Sequence, residues 1–162
     1  MYAIVAVSKN WGIGKDNALL FSIPEDMKYF REKTAGKTII MGRNTLESFP
    51  NGAPLKNRRN VIISTNEDYL VEGAEVVHSP AEALELISDT PEDEVYIIGG
   101  SEVYRAMLPF CEKVFVTKVR KGAEADRFFP DLDSLPDWKL SQEGEEKEHE
   151  GLRYRFCVYE RI

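Results

Sequence analysis

The feature that most restricts this chain is a set of short apolar runs that show no alternation with polar residues. Ala3 to Val7, Thr38 to Met41, Val61 to Ile63, Val95 to Ile98 and Val114 to Thr117 are rich in β-branched residues and free of charge. A strand with one wet face alternates apolar and polar positions. Uninterrupted runs instead belong in a sheet covered on both faces, which in practice means parallel strands joined by helical crossovers. The intervening segments supply the helices. Pro24 suits a first helical turn, where a missing N–H costs nothing, and the charged run after it predicts a helix that ends at Ala35-Gly36. Pro80 to Ser88, with Ala81, Leu84 and Ile87 at helical spacing, predicts another. Glu75 to Val77 reads as a short strand, and Trp138 to Ser141 with Tyr154 to Arg161 as a terminal hairpin around the charged loop Glu143 to Glu150. The predicted fold is α/β, one domain over residues 1–162 with a mixed, mostly parallel central sheet, flanking helices and an antiparallel C-terminal hairpin.

A chain of 162 residues with 43% hydrophobic content can bury a core without disulfides or metals. Cys111 and Cys157 are far apart and fit neither a disulfide framework nor a metal motif, so both are expected reduced, in or near the core, in a reducing compartment. Met1 to Val7 is apolar, but it lacks a basic leader and meets Lys9 too early for a signal peptide or membrane span; a soluble, cytoplasmic protein is expected. A net charge of -7 argues against a nucleic-acid surface and requires any anionic ligand to be met by a few local cations. No heptad or long apolar surface stretch is evident, so a monomer is expected.

Several short stretches carry chemistry. At helical spacing Asp26 shares a face with Ile23, Met27 and Phe30, while Lys28, Arg31 and Glu32 point elsewhere, which turns a carboxylate inward. The alternative is an acid that only complements the helix dipole. Ser8 to Leu20 reads as a loop containing Gly12-Ile13-Gly14, but a dinucleotide fingerprint needs a third glycine where Asn17 stands. Gly36-Lys37-Thr38 mimics the end of a P-loop, yet the earlier glycine falls on Arg31 and a strand follows. Gly42-Arg43-Asn44-Thr45 is a strand-to-helix junction of the kind that binds phosphate, or else a simple cap. Ser64 and Thr65 lie just past a strand's carboxyl end, where ligands collect in open α/β sheets, though ordinary loop polarity explains them equally. Val95 to Tyr104 is strand, Gly99-Gly100, then helix, which lets a flat cofactor approach the backbone or simply makes a tight turn. His78 is expected in a surface loop, since no acidic or nucleophilic partner lies near it in sequence, and His149 in the solvated charged loop Glu143 to Glu150.

Taken together and in order, these stretches resemble dihydrofolate reductase over essentially the whole chain. The matching pieces are Ile13-Gly14 with Asn17, Pro24-Glu25-Asp26-Met27 with Phe30, Met41-Gly42-Arg43 with Thr45 to Ser48, Ile98-Gly99-Gly100 with Val103-Tyr104, and Thr117. The resemblance implies hydride transfer from NADPH to a dihydropterin ring, with a proton added to the adjacent nitrogen. Asp26 would then hold the pterin's amino and ring N–H groups in bidentate fashion and promote protonation, with Thr117 keeping it in register. It also implies an apolar slot from Ile4, Met27, Phe30, Phe49, Leu55 and Ile98, with Arg58 on the glutamate carboxylate. On the cofactor side it implies Arg43, Asn44, Thr45, Ser64 and Thr65 at the phosphates, a cis peptide at Gly99-Gly100, and Ala6, Ile13, Gly14, Gly42, Ser101, Glu102, Val103 and Tyr104 around the remainder. Closure of the loop from Ser8 to Leu20 would exclude water, with Asp126 holding the closed form. Dihydrofolate and antifolate small molecules are the implied ligands.

Some positions depart from the commoner bacterial pattern. Leu20-Phe21 stands where many members have Pro-Trp, which removes an indole N–H that holds an active-site water and places Phe21 at the point of proton delivery. Leu46 and Asn44 replace a frequent tryptophan and histidine. Glu102 stands where some members put a basic residue against the 2′-phosphate, so discrimination for NADPH would rest on Arg43. Two other readings stay open at this stage: the pyrimidine reductase of riboflavin synthesis, which shares fold and cofactor, and a nucleotide-binding module without catalysis.

Overall fold

The computed structural model describes residues 1–162. Every one of the apolar runs is a strand. In chain order the elements are β1 (Tyr2–Val7), β2 (Gly12–Lys15), β3 (Ala18–Leu19), α1 (Pro24–Thr34), β4 (Thr38–Gly42), α2 (Arg43–Glu47), β5 (Arg59–Ile63), β6 (Glu75–Val77), α3 (Pro80–Leu86), β7 (Val95–Gly99), α4 (Ser101–Met107), β8 (Lys113–Val119), β9 (Arg127–Phe128), β10 (Trp138–Glu143), β11 (Lys147–His149) and β12 (Leu152–Arg161). The main sheet has the spatial order β10-β12-β8-β1-β7-β4-β5-β6, with β11 also on β12. From β8 to β6 all neighbours are parallel, and β12 runs antiparallel to β8, β10 and β11.

The double-sided burial is direct. Ile39, Ile40 and Met41 of β4 are all fully buried although successive side chains point to opposite faces. Ile40 joins a 22-residue cluster that also takes in Tyr104 and Met107 of α4 and Ala83 of α3. Ile39 and Met41 join a seven-residue cluster on the other face, against which Tyr29 and Phe30 of α1 pack. Each such side chain contributes roughly 1.5–3 kcal/mol, which holds α1 on one face and α3 and α4 on the other. In α3 the inward residue is Ala83 rather than Ala81, which is exposed, because the helix stands on Ala83 and Ile87.

Three loop expectations need correction. Ser8 to Leu20 is not all loop: β2 and β3 form a hairpin across Asp16-Asn17, both at positive φ, as a tight two-residue turn demands, and β9 adds to β2. The segment Glu143 to Glu150 contains β11, closed on β12 through Glu150-Gly151, again both at positive φ, so His149 lies in a strand. His78 lies in a loop as expected, between β6 and α3, but half-buried rather than at the surface, with its ring Nδ1 2.9 Å from the Ser64 carbonyl and its backbone N–H bonded to Glu82. Cys111 and Cys157 are both free and buried.

Candidate active site

Asp26 sits in the first turn of α1, directly after buried Ile23. Its Oδ1 accepts a 2.6 Å hydrogen bond from the Thr117 hydroxyl. Thr117 is only 1% exposed and lies opposite Ala6 of β1 and Phe156 of β12, so the carboxylate rests at the carboxyl end of the central strands. Burial raises the Asp26 carboxyl above its ordinary range, and the Thr117 bond, which favours the ionised form, pulls the other way. The neighbouring Glu25 accepts from the Tyr154 hydroxyl at 2.7 Å and pairs with Lys147 at 3.2 Å, which pins the start of α1 to the β11–β12 hairpin. Phe21 packs on the small cluster of Ile23, Val119 and Tyr154 beside them.

An apolar wall runs on from Asp26. Phe30, Phe49, Leu55 and Ile98 all pack on the cluster that contains Ile4. Ile4 is itself buried and presents its carbonyl, which accepts from the Tyr104 hydroxyl at 2.7 Å. Met27 is 54% exposed, although it follows Asp26 directly and the first turn of α1 is held by Thr117, Tyr154 and Lys147. The wall ends at Arg58. Its Nε donates to Thr34 Oγ1 at 2.9 Å, its NH1 to the Lys56 carbonyl, and its guanidinium stands 5.9 Å from the Phe30 ring. Thr34 is fully buried and bonds back to the Phe30 carbonyl. Arg58 has no acidic partner, and burial followed by the nearby Arg31 charge lowers its pKa. Asp26 and Thr34 are eight residues apart on one helix, about 12 Å along the axis at a rise of 1.5 Å per residue. A surface of that length, with a carboxylate at one end, apolar residues along it and a cation at the other, suits an elongated ligand with a hydrogen-bonding head and an acidic tail.

The second half of the site lies where β4 and β7 end. Their register shifts between Ile40 and Met41, and the peptide between Gly99 and Gly100 is cis. A Cβ on Gly99 would stand 3.0 Å from Thr45 Oγ1, and one on Gly42 would stand 3.2 Å from Val103, so glycine keeps a bare backbone floor between α2 and α4. Ser101 and Val103 are half-buried at the start of α4, whereas Asn44 and Glu102 are exposed. Beyond β5, Thr65 is exposed, while Ser64 is buried and accepts from the Asn66 N–H, so its hydroxyl also serves its own turn. Arg43 is held by Glu47 and lies against Tyr69. Burial and then the Asp26 charge raise the Tyr104 phenol. Ala6, Ile13 and Gly14 are half-buried near the junction, and Asp126 binds the hairpin by accepting from the Asp16 N–H at 3.0 Å and donating its own N–H to the Gly14 carbonyl.

Sequence reasoning does not reach Thr34, Glu47, Tyr69, Tyr154 or Lys147. Glu47 stands four residues after Arg43 on one helix, a spacing that carries the pairing, but Tyr69 and Tyr154 meet their partners only through the fold.

A carboxylate held at the carboxyl end of parallel strands, beside a glycine junction whose backbone a ligand can approach, defines the class as an α/β enzyme with its site at the strand ends. A family model described as dihydrofolate reductase matches residues 1–161. Dihydrofolate reductase of Bacillus subtilis (strain 168) is 39% identical over 160 residues, covering 98% of this chain and 92% of the relative. That of Neisseria meningitidis serogroup B is 39% identical over 157 residues, covering 96% and 94%. Among solved structures, dihydrofolate reductase from Enterococcus faecalis, complexed with NADP(H) and RAB-propyl, aligns with a TM-score of 0.87 at 32% identity over 99% of this chain and 95% of that one. The chain belongs to the dihydrofolate reductase family, and its activity is the NADPH-dependent reduction of dihydrofolate.

Proposed function

We propose that Asp26 is the residue that binds and orients the pterin ring in this reaction, with Thr117 as its support. The observation that carries this is the 2.6 Å bond between Thr117 and a carboxylate whose pKa burial has raised. One carboxylate oxygen is committed to Thr117, yet each oxygen retains lone pairs, so the group can still take an amino and a ring N–H side by side. Bound NADPH supplies the hydride that adds to the ring carbon, while the adjacent nitrogen gains a proton. Because Asp26 holds a proton more readily than an ordinary aspartate, it promotes that protonation at pH values where a solvated carboxyl would not. Phe21 closes the apolar side of the carboxylate and supplies no hydrogen bond, so proton delivery here does without an indole-held water. Ile4, Met27, Phe30, Phe49, Leu55 and Ile98 line the slot for the pterin and aminobenzoyl groups, and Arg58 pairs with the glutamate carboxylate; antifolates would enter the same slot.

In the groove, Gly99 and Gly100 with Gly42, Thr45, Ser101 and Val103 cradle the cofactor's pyrophosphate, and Arg43 with Asn44, Ser64 and Thr65 receives the adenosine phosphate. Ala6, Ile13, Gly14 and Tyr104 border the nicotinamide, and exposed Glu102 opposes the 2′-phosphate. The hairpin β2–β3, tied to Asp126, covers the junction and excludes water during transfer. Residues 1–162 act as one domain and as a monomer in the cytoplasm, without nucleic-acid or membrane partners. The net charge of -7 supports the lack of a nucleic-acid partner, and no helix is long and apolar enough to cross a membrane.

The test is loss of NADPH absorbance on adding dihydrofolate to the purified protein, in parallel with Asp26→Asn. The expected result is rapid loss for the natural chain and a fall of at least a hundredfold for the variant at neutral pH. Turnover by Asp26→Asn within a few-fold of the natural chain would remove Asp26 from the mechanism.

A further inference from the structure

Arg43 is the one cation at the adenosine end of the groove that the proposed function assigns to the 2′-phosphate, and its side chain is held from two directions. Its Nε donates to Glu47 Oε1 at 2.7 Å, one helical turn on, and its guanidinium carbon lies 4.5 Å from the centre of the Tyr69 ring. The two terminal nitrogens bond to no protein group. Tyr69 in turn sits at the end of a self-bonded turn that begins at Ser64. Asn66 donates its N–H to Ser64 Oγ, Asp68 donates to Asn66 Oδ1, and Tyr69 donates to the Asn66 carbonyl. The platform for Arg43 and the hydroxyls at Ser64 and Thr65 are therefore parts of one rigid loop.

We propose that Tyr69 is a positioning residue for NADPH selection, fixing the Arg43 guanidinium plane so that its free terminal edge faces the 2′-phosphate, and that Glu47 sets the same edge through Nε while damping the arginine's charge. This rests on Arg43 being the 2′-phosphate ligand. A free arginine loses several rotamers on binding, and stacking on an aromatic face removes that freedom beforehand while keeping the fork of terminal N–H groups open for a phosphate. The guanidinium over the ring face is a cation–π contact, which tolerates loss of the phenol hydroxyl but not of the ring. The two partners differ in sign toward the ligand. Tyr69 is neutral and helps only; Glu47 orients Arg43 but brings a negative charge next to the place where a phosphate must sit. Glu102, exposed at the start of α4, adds a second acid on that side, so selection for NADPH leans on how well Arg43 is held.

The experiment measures KM for NADPH and for NADH, with kcat, in the full chain carrying Tyr69→Leu, Tyr69→Phe, Glu47→Gln, Arg43→Ala and Arg43→Ala combined with Tyr69→Leu. Tyr69→Leu is expected to raise KM for NADPH about five- to tenfold with KM for NADH altered less than twofold, the change falling on KM rather than kcat. Tyr69→Phe restores the natural value. Glu47→Gln, which keeps an acceptor and drops the charge, lowers KM for NADPH roughly two- to threefold. In the Arg43→Ala background Tyr69→Leu adds nothing. If Arg43→Ala alone raises the two constants equally, the 2′-phosphate assignment fails and the proposal with it. If Arg43→Ala acts on NADPH alone while Tyr69→Leu leaves KM unchanged, or acts equally with and without Arg43, the assignment stands and the positioning role of Tyr69 is refuted.

Discussion

Replacing Thr117 by valine isolates what one hydroxyl does for the reaction. Valine has nearly the shape of threonine, and position 117 is almost fully buried in β8, so packing is conserved while the donor to Asp26 is removed. The bond is 2.6 Å long, in the range of an O–H donor on a charged carboxylate, and such bonds contribute about 1.5–3 kcal/mol. That energy acts on the ionised form. Losing it removes the one influence that favours the ionised form, so the Asp26 carboxyl, already held above its ordinary range by burial, rises further. The reaction consumes a proton, so its rate falls as pH rises through the pKa that governs protonation. The expected result is a fall displaced to higher pH in Thr117→Val, and restored by Thr117→Ser. The sign for stability follows from the same bond: because it lowers the folded pKa relative to a site without it, its contribution is present while Asp26 is ionised and is lost as pH falls through the folded pKa. Thr117→Val should therefore melt lower than the natural chain at neutral pH, by an amount that shrinks on acidification. A pH–rate profile of single-turnover hydride transfer whose midpoint is the same in Thr117→Val and the natural chain would refute the coupling of this hydroxyl to the proton.

Three further outcomes are expected. Asp26→Asn should raise the melting temperature at neutral pH even as it abolishes turnover: a folded pKa raised above 3.8 means that the native state binds more protons, so stability falls as pH rises through that window, and the amide removes the penalty while still accepting from Thr117; melting curves at neutral pH and at about pH 3 should differ between variant and natural chain only at the former. Arg58→Leu should raise KM for dihydrofolate at least about tenfold, as expected for losing a charge-assisted contact, and should leave the KM of a dihydropterin that lacks the glutamate tail unaltered; an equal effect on both substrates would detach Arg58 from the carboxylate. Gly99→Ala, with φ at +144° and its new Cβ 3.0 Å from Thr45 Oγ1, should lower stability by about 1–3 kcal/mol in denaturant titration and weaken NADPH binding, whereas Gly36→Ala, with open space around its Cβ, should leave NADPH binding intact.

The fold was legible wherever burial wrote itself into residue type. Ala3–Val7, Thr38–Met41 and Val114–Thr117 each lie in strands covered on both faces, the environment that short unbroken runs of β-branched residues suit best. The spatial order was not legible, since β7 enters between β1 and β4 although more than fifty residues separate it from either, and nothing local in Val95–Gly99 names its neighbours. The small sheet of β2, β3 and β9 escaped for a different reason. Its strands are two to four residues long, contain two glycines and are held by backbone bonds to a segment more than a hundred residues away, so side-chain periodicity carries no trace of them. β11 is hidden likewise, because Lys147-Glu148-His149 is polar on both faces and pairs only through its backbone. At the site, the inward turn of Asp26 followed from helical spacing, but the exposure of Met27 did not, because spacing fixes a direction and not whether another element lies there.

A chain whose 21 lysines and arginines are outnumbered by 28 acids, and that takes two anionic ligands, must place particular cations where they count. In the proposed arrangement Arg58 and Arg43 do this by opposite means. Arg58 has no acid at all: a neutral hydroxyl and a carbonyl hold it, and burial together with Arg31 destabilises its charge, so a carboxylate arriving there relieves an existing cost. Arg43 is exposed, already paired with Glu47, and carries little unrelieved potential, so its selectivity must come from geometry rather than from charge. Salt should separate the two. Screening at high ionic strength weakens exposed ion pairs far more than half-buried ones, and it weakens the Glu47 pair along with the phosphate contact it opposes. Raising ionic strength should therefore change KM for NADPH in the natural chain less than in Glu47→Gln, where the arginine faces the phosphate without a competing carboxylate, and KM for dihydrofolate should change least of all. An equal salt dependence of NADPH binding in both proteins would mean that Glu47 does not share the field of Arg43 with the phosphate.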